Sequence, residues 1–333
     1  MAGRRLSPTF RAAAEHSIRT VASHIAVAFP GVPIVAVANP YAGTGARHRA
    51  LVQIVRSLRP LTAPAELTAI YWTESVDAAR ERVATAKAQH SGAVVCISFG
   101  GDGTHNELMS GFVGDDSLLF YRLPAGTGND AVGSDLWSVL HSATVAAHPQ
   151  NLGAIEVRTR SERFYAFNIA SIGLDAYITA TRDRLKSFLP GNAYRLVTDI
   201  SVLSYERIVG LTESALWIDG AAQPRGRRML VAMGVDAPRT YGDHMLVLPG
   251  TDNVCEIGPV TLSKRVRLKR LFLAGQHVAE PEVTMHRATQ LTMEYDRSLP
   301  IQMDGEAVWL ADNQFPLRMK ILPDSVQVVD VKH

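Results

Sequence analysis

The sequence predicts an α/β domain built on a parallel sheet, followed by a mainly antiparallel β-sandwich domain. Three observations carry that expectation. From Pro33 to about Pro149, apolar strand-like runs alternate with helical patterns, as parallel strands covered on both faces require. Beyond about Asn151, strand-like runs with Asp-Gly turn signals dominate, the pattern of antiparallel hairpins. The chain has 333 residues, enough for two domains. The expected division is an amphipathic extension over 1–30, an α/β domain over 31–149 and a β-rich domain over 150–333. The last strand is free to return to the first domain.

Taken in order, the first thirty residues carry Arg4, Arg5, Arg11 and Arg19 against one acid, Glu15. Phe10, Ala14, Ile18, Val21 and Ile25 recur at helical spacing. No compact apolar core precedes a small-residue cleavage site, so a secretory signal is not expected. An amphipathic helix packed on the first domain is, with a transit peptide as the alternative. "PIVAVA" (33–38) reads as a buried strand, followed by the loop "NPYAGTG". "LTAIYW" (67–72) is a second strand, and Thr73 or Ser75 can cap the helix "VDAARERVATAKA". "AVVCISF" (93–99) leads into "GGDGTHNE", and "SLLFYRL" (117–123) into "PAGTGNDA". Ligands of such sheets bind beyond the carboxyl ends of the strands, and all three glycine-bearing loops fall there. The second half opens with two strands in "AIEVRTRSERFYAFNIA". Two helical stretches, "DAYITATRDRLKSF" and "NAYRLVTDISVLSYERI", follow. Hairpins then turn at Asp219-Gly220 and Asp304-Gly305.

The loops carry the chemistry. Gly100, Gly101 and Gly103 lie between a strand and a helix. There, backbone N–H groups without a Cβ in the way can cradle an anion, helped by the helix dipole. Thr104 can cap the helix or donate to a phosphate oxygen. Asp102 is the informative member, because a carboxylate beside phosphates needs a metal or a proton to accept. Read alone, the stretch is equally a plain strand–helix turn with Asp102 as cap. Gly126, Thr127, Gly128, Asn129 and Asp130 repeat the pattern at the next strand end. They also match G-x-G-x-x-A, without the acid about 20 residues on that a dinucleotide fold wants. In the first loop Asn39 can bond adenine, ribose or backbone. By spacing alone, "MDGEAV" is a type I′ hairpin turn.

Taken together, these strings resemble the diacylglycerol kinase catalytic family, which includes YegS-like lipid kinases and the sphingosine and ceramide kinases. The resemblance runs from about Pro33 to the C-terminus. It rests on Asn39, Pro40 and Gly43; on Gly100 to Thr104 with Asn106 and Glu107; and on Pro124, Gly126, Thr127, Asn129 and Asp130. Asn168, Gly173, Asp175 and Ala176 add to it, as do Asp304, Gly305 and Glu306. The resemblance implies a nucleotide-binding first domain, a lipid-substrate second domain and an active site in the cleft between them. It implies ATP on the glycine loops, Mg²⁺, and a lipid alcohol as acceptor, diacylglycerol or a relative. In the family the Asp304 position looks like the general base, with Glu306 organising metal and nucleotide. One branch gives the base role to the Asp102 position instead. The assignment made here is Asp304 as base, with Asp102 and Glu306 as the metal-organising carboxylates. One departure is visible at "PGTDNVCEI" (249–257), where Asn253 stands in place of a family glycine and a second acid is missing. This puts a structural metal site there in doubt.

The closest competitor is an NAD kinase-like enzyme, which shares GGDGT but carries a "TPTGSTAY" string that this chain lacks. A catalytically inactive nucleotide-binding regulator is the reading from another class. The net charge of +2 gives no basis for a nucleic-acid partner. Cys96 and Cys255 have no zinc spacing. No apolar run reaches membrane-spanning length, so the expected location is cytoplasmic, with peripheral contact at the membrane. "SKRVRLKRLFL" (263–273) sets Lys264, Arg265, Arg267, Lys269 and Arg270 beside four apolar residues, a pattern suited to an anionic surface. Homodimer formation is left open.

Overall fold

The computed structural model describes residues 7–40, 52, 67–73, 75–124, 149–185, 194–210, 213–241 and 245–329. Two units emerge, one made of residues 1–152 and 323–333, the other of 153–322.

In the first unit, β1 (Ile34–Ala38), β2 (Leu67–Trp72), β3 (Val94–Gly100) and β4 (Leu118–Pro124) are joined by the end of the chain's last strand (Leu317–Val328). The order is β2-β1-β3-β4-last, every pair parallel. β1 and β3 are buried along their whole length, which explains why they read as unbroken apolar runs rather than alternating ones. Helix α1 (Pro8–Ala28) starts at Ser7, whose hydroxyl accepts from the Phe10 N–H. It packs Phe10, Ala14, Ile18, Val21 and Ile25 against Ile34, Ile97 and Phe99. The N-terminal periodicity therefore ends in the core of this unit. Helix α2 (Val76–Ala88) is capped by Ser75, not Thr73. Helix α3 (Asp102–Ser110) follows β3 directly, with Gly101 as its N-cap.

The second unit is a sandwich of antiparallel sheets. Its strands are β5 (Gln150–Arg158), β6 (Arg163–Ala166), β7 (Ile169–Gly173), β8 (Glu213–Ile218), β9 (Ala221–Ala222), β10 (Gly226–Arg227) and β11 (Leu230–Gly234). They continue with β12 (Arg239–Tyr241), β13 (Met245–Leu248), β14 (Val254–Ile257), β15 (Val283–His286), β16 (Gln290–Glu294), β17 (Leu299–Met303), β18 (Glu306–Leu310) and the last strand, β19. One layer runs β15-β14-β11-β7-β17-β18; the other contains β10-β8-β16-β19 with the β5–β6 hairpin. Helices α4 (Leu174–Leu185), α5 (Tyr194–Ile208) and α6 (Leu262–Leu273) complete it. Both Asp-Gly turns take positive φ at each central residue: 46° and 83° at Asp219-Gly220, 51° and 94° at Asp304-Gly305. This is what a type I′ turn needs.

One buried polar pair fixes where α3 begins. The His105 ring Nδ1 lies 2.8 Å from the Ser98 hydroxyl, both fully buried, tying the first turn of α3 to β3. Burial, reinforced by the Arg122 charge, pushes the His105 imidazole down to about 3, so the ring is neutral in the fold. The unfolded chain binds a proton at this residue below about pH 6.5 and the folded chain does not. Stability should therefore fall as pH drops from 6.5 towards 3, by up to about 1.4 kcal/mol per pH unit from this residue. Between pH 6.5 and pH 5 this comes to about 1.6 kcal/mol. Urea titrations of the wild type and His105→Asn should show that slope flattened in the variant; parallel slopes would contradict a neutral buried His105.

Candidate active site

Three parallel strands end level with one another: Ala38 is in register with Phe99, and Gly100 with Pro124. The loops that carry the expected phosphate chemistry leave from this one sheet edge. Gly43, Gly126, Thr127, Gly128 and Asn129 lie outside the described residues.

Among the described positions, Asn39 and the "GGDGT" stretch are brought together. The Asn39 side-chain amide donates to Thr104 Oγ1 at 2.9 Å, and its backbone N–H donates to the Phe99 carbonyl at 3.0 Å. Asn39 therefore ties the loop after β1 to β3 and to the first turn of α3. Gly100 has a packing reason as well as a chemical one. A Cβ there would stand 2.5–2.8 Å from the Thr104 side chain, closer than any carbon tolerates. Asp102 is the first helical residue of α3 rather than its cap, and no side chain caps that end. The N-terminal N–H groups and the helix dipole thus meet whatever anion approaches from the sheet edge. The far end of α3 is held by Arg80, which donates through Nε to the Glu107 carbonyl at 3.0 Å and through Nη2 at 2.5 Å. Asn106 is buried and Glu107 half-buried; burial raises the Glu107 carboxyl, partly offset by Arg80. Pro40 directly follows Asn39 at the head of its loop.

In the second unit, Asp304 is not placed as a mobile proton acceptor. Its Oδ2 accepts the Phe167 N–H at 2.5 Å, and its Oδ1 accepts the N–H groups of Asn168 at 2.9 Å and Ile169 at 2.8 Å. A carboxylate offers about four lone-pair directions, and three are committed to backbone. Asp304 is a clasp holding the β17–β18 turn to the start of β7, which argues against the base role the resemblance implies. Gln302, fully buried, extends the clasp. Its Oε1 accepts the Gly305 N–H at 3.0 Å, and its Nε2 donates to Ser171 Oγ at 2.7 Å and to Asp175 Oδ2 at 3.4 Å. Arg182 Nη2 donates to the Gly305 carbonyl at 2.8 Å. Glu306 is exposed at the foot of the same turn.

That network ends at a feature that sequence reasoning placed in a motif but gave no role. Asp175 is half-buried at the start of α4. Its Oδ2 accepts from Ser171 at 2.5 Å, and its Oδ1 is buried without a hydrogen-bond partner. Burial raises its carboxyl to about 6, against the opposing pull of these hydrogen bonds. Asp175 borders a narrow cavity of about 70 Å³ walled by Ile178, Val202, Met229, Val247, Leu268 and Phe272. Gly173 makes the approach feasible: at φ +100°, a Cβ there would sit 2.2 Å from the Met229 carbonyl oxygen. The sequence signal was the acid itself, two residues after a glycine at a strand–helix junction.

The basic helix differs from its expected picture. Arg265 is buried and paired with Glu206, and Lys264 pairs with Glu280 at 3.0 Å and with Glu282. Arg267, more exposed, also reaches Glu280 at 2.9 Å, so three of the five cations pair with acids of their own unit, and two of them, Lys264 and Arg265, turn inward. Asn253 is also buried and structural. Its amide donates to the carbonyls of Gly234 at 3.2 Å and Ala288 at 2.9 Å and accepts the Ala288 N–H at 2.9 Å. Among the described residues, no cluster of three or more His, Cys, Asp or Glu could hold a metal on protein ligands alone. No described helix is long and apolar enough to cross a membrane.

Residues 33–150 match the diacylglycerol kinase catalytic domain, and residues 168–330 match the YegS C-terminal NAD kinase beta sandwich-like domain. No curated protein matches the sequence. Among solved structures, a Bacillus anthracis str. Sterne structure described as a diacylglycerol kinase is similar at a TM-score of 0.58 and 15% identity, covering 89% of this chain and 96% of that one. A candidate diacylglycerol kinase from the same organism is similar at a TM-score of 0.59 and 18% identity, covering 90% of this chain and 97% of that one. At such identities the structures speak for the fold alone. With two family domains in tandem across most of its length, the chain belongs to the diacylglycerol kinase catalytic-domain, YegS-like family.

Proposed function

We propose that the protein is an ATP-dependent lipid kinase that transfers the γ-phosphate to the hydroxyl of a lipid alcohol, diacylglycerol or a chemical relative. The observation that carries the acceptor class is the cavity beside Asp175. Apolar walls suit hydrocarbon, and a buried carboxylate oxygen with no partner calls for a hydrogen-bond donor. A long-chain alcohol supplies both; a dinucleotide would bring charge to walls that are almost wholly apolar.

The first unit takes the nucleotide. Its phosphates rest on the glycine-lined sheet edge and the uncapped start of α3, with Asn39 and Thr104 fixing the loops around them. Mg²⁺ enters with the nucleotide. Kinase Mg²⁺ keeps phosphate and water ligands and needs only one or two carboxylates, so the lack of a protein-only cluster among the described residues is compatible with it. Glu306 is the hard oxygen donor suited to that part, and the metal's chemistry would be to neutralise charge on the phosphate oxygens. With Asp304 committed to backbone, the proton of the attacking hydroxyl falls to Asp102, and Asp175 positions the lipid head.

Incubation with ATP and Mg²⁺ against a panel of lipid alcohols, with product mass as the readout, tests this reading. ADP should form only with a lipid alcohol present, and the product should gain one phosphate. Asp102→Asn should lower kcat by roughly a hundredfold or more. Asp175→Asn should raise KM for the lipid about tenfold and leave KM for ATP unchanged. Phosphate appearing on NAD instead, or nucleotide binding without turnover on any acceptor, would overturn it.

A further inference from the structure

Helices α5 and α6 lie side by side in the second unit. Val202 of α5 and Leu268 and Phe272 of α6 wall the same cavity, and Glu206 of α5 pairs with Arg265 of α6. Their outward faces are unusual for a water-facing surface. Ile200, Leu203 and Ile208 on α5, and Leu262, Val266 and Leu273 on α6, are each 47–61% exposed. On a helix of 3.6 residues per turn, Leu262, Val266 and Leu273 fall in one narrow stripe opposite the buried Leu268. Arg267 and Arg270, both exposed, flank that stripe on one side, and the half-buried Lys269 flanks it on the other. Arg207 stands among the apolar residues of α5. The neighbouring acids are already engaged, Glu206 with Arg265 and Glu280 with Lys264 and Arg267.

Scattered exposed apolar residues need no explanation, but six on two packed helices do. We infer that this two-helix face is a docking surface for an anionic bilayer, its apolar stripes dipping into the head-group boundary and its arginines meeting lipid phosphates. The inference rests on the lipid-kinase reading and adds where the acceptor enters. Protein interface cores are depleted in charge, whereas here Arg207 stands among the apolar residues of α5 and Arg267 and Arg270 flank the α6 stripe, as on helices lying in a lipid interface. The cavity beneath the same helices is narrow and apolar, so a hydrocarbon chain reaches it more readily from a bilayer than through water. Lys264 and Arg265, turned inward, take no part.

Co-sedimentation of the full chain with vesicles of phosphatidylglycerol and phosphatidylcholine, compared with phosphatidylcholine alone, tests this without using turnover. Binding should be at least tenfold stronger on the anionic vesicles and should weaken with salt. The double variant Leu203→Asp/Val266→Asp should cut vesicle partitioning at least tenfold, and Arg207→Glu/Arg270→Glu should remove the preference for anionic lipid. Activity on a short-chain, detergent-dispersed acceptor should stay within about twofold in both variants. If the wild type fails to bind, or the variants bind as the wild type does, the face is not a membrane surface. A dimer that the Leu203→Asp/Val266→Asp variant disrupts, with no vesicle binding, would reassign it to self-association. Vesicle binding that follows these predictions in a protein without lipid kinase activity would leave the surface standing and reject the activity.

Discussion

The carboxylate of Asp304 accepts three consecutive backbone N–H groups, from Phe167, Asn168 and Ile169, and much of the second unit's working end depends on it. The segment it receives is the entry to β7, the strand that runs into Gly173 and then Asp175. Consecutive amides leaving a strand end are costly to bury unmet. A carboxylate held at positive φ in a two-residue turn meets all three at once. Gln302, two residues earlier, extends the same turn to Ser171 and Asp175. One hairpin tip therefore sets the position of the strand, the helix start and the acid beside the cavity. This gives an acid at this position a structural reason of its own.

The first unit solves a related problem differently. Its parallel strands end together, and the residues just beyond β1 and β3 are tied to one another there. Asn39 bridges to Thr104, Gly100 makes room for the Thr104 side chain, and His105 anchors α3 through Ser98. Asp102 is thereby held at the one end of α3 that no side chain caps. A neutral His105 suits that place, because the ring is fully buried and its charged form would be costly to desolvate beside the Arg122 charge.

Some of this was legible in the residues. The alternation of apolar runs and helices placed three glycine loops at one sheet edge, because the period of the pattern reports burial directly. Asp-Gly reported both type I′ turns, because few other pairs accept positive φ twice. The clasp was not legible: Asp304 and the segment that donates to it are more than 130 residues apart, and no spacing rule reaches that far. Reading Asp304 as a base followed from the motif, and its hydrogen bonds argue otherwise. The inward turn of Arg265 depends on Glu206 from another helix, so a count of cations along 263–273 overstated the charged face. The exposed leucines and valine of the same helix emerged only once it was known which side was buried.

The central claim is that Asp304 is a structural clasp. Amide hydrogen exchange at residues 167–169, compared between the wild type and Asp304→Asn, tests it most directly. In the variant an amide donor faces a backbone donor, and losing about 2 kcal/mol of local stability should speed exchange at these amides on the order of 30-fold. The rest of the sheet should change far less. Amides at 167–169 that are unprotected in the wild type, or equally protected in a variant that has lost turnover, would contradict the clasp and return Asp304 to the role of base.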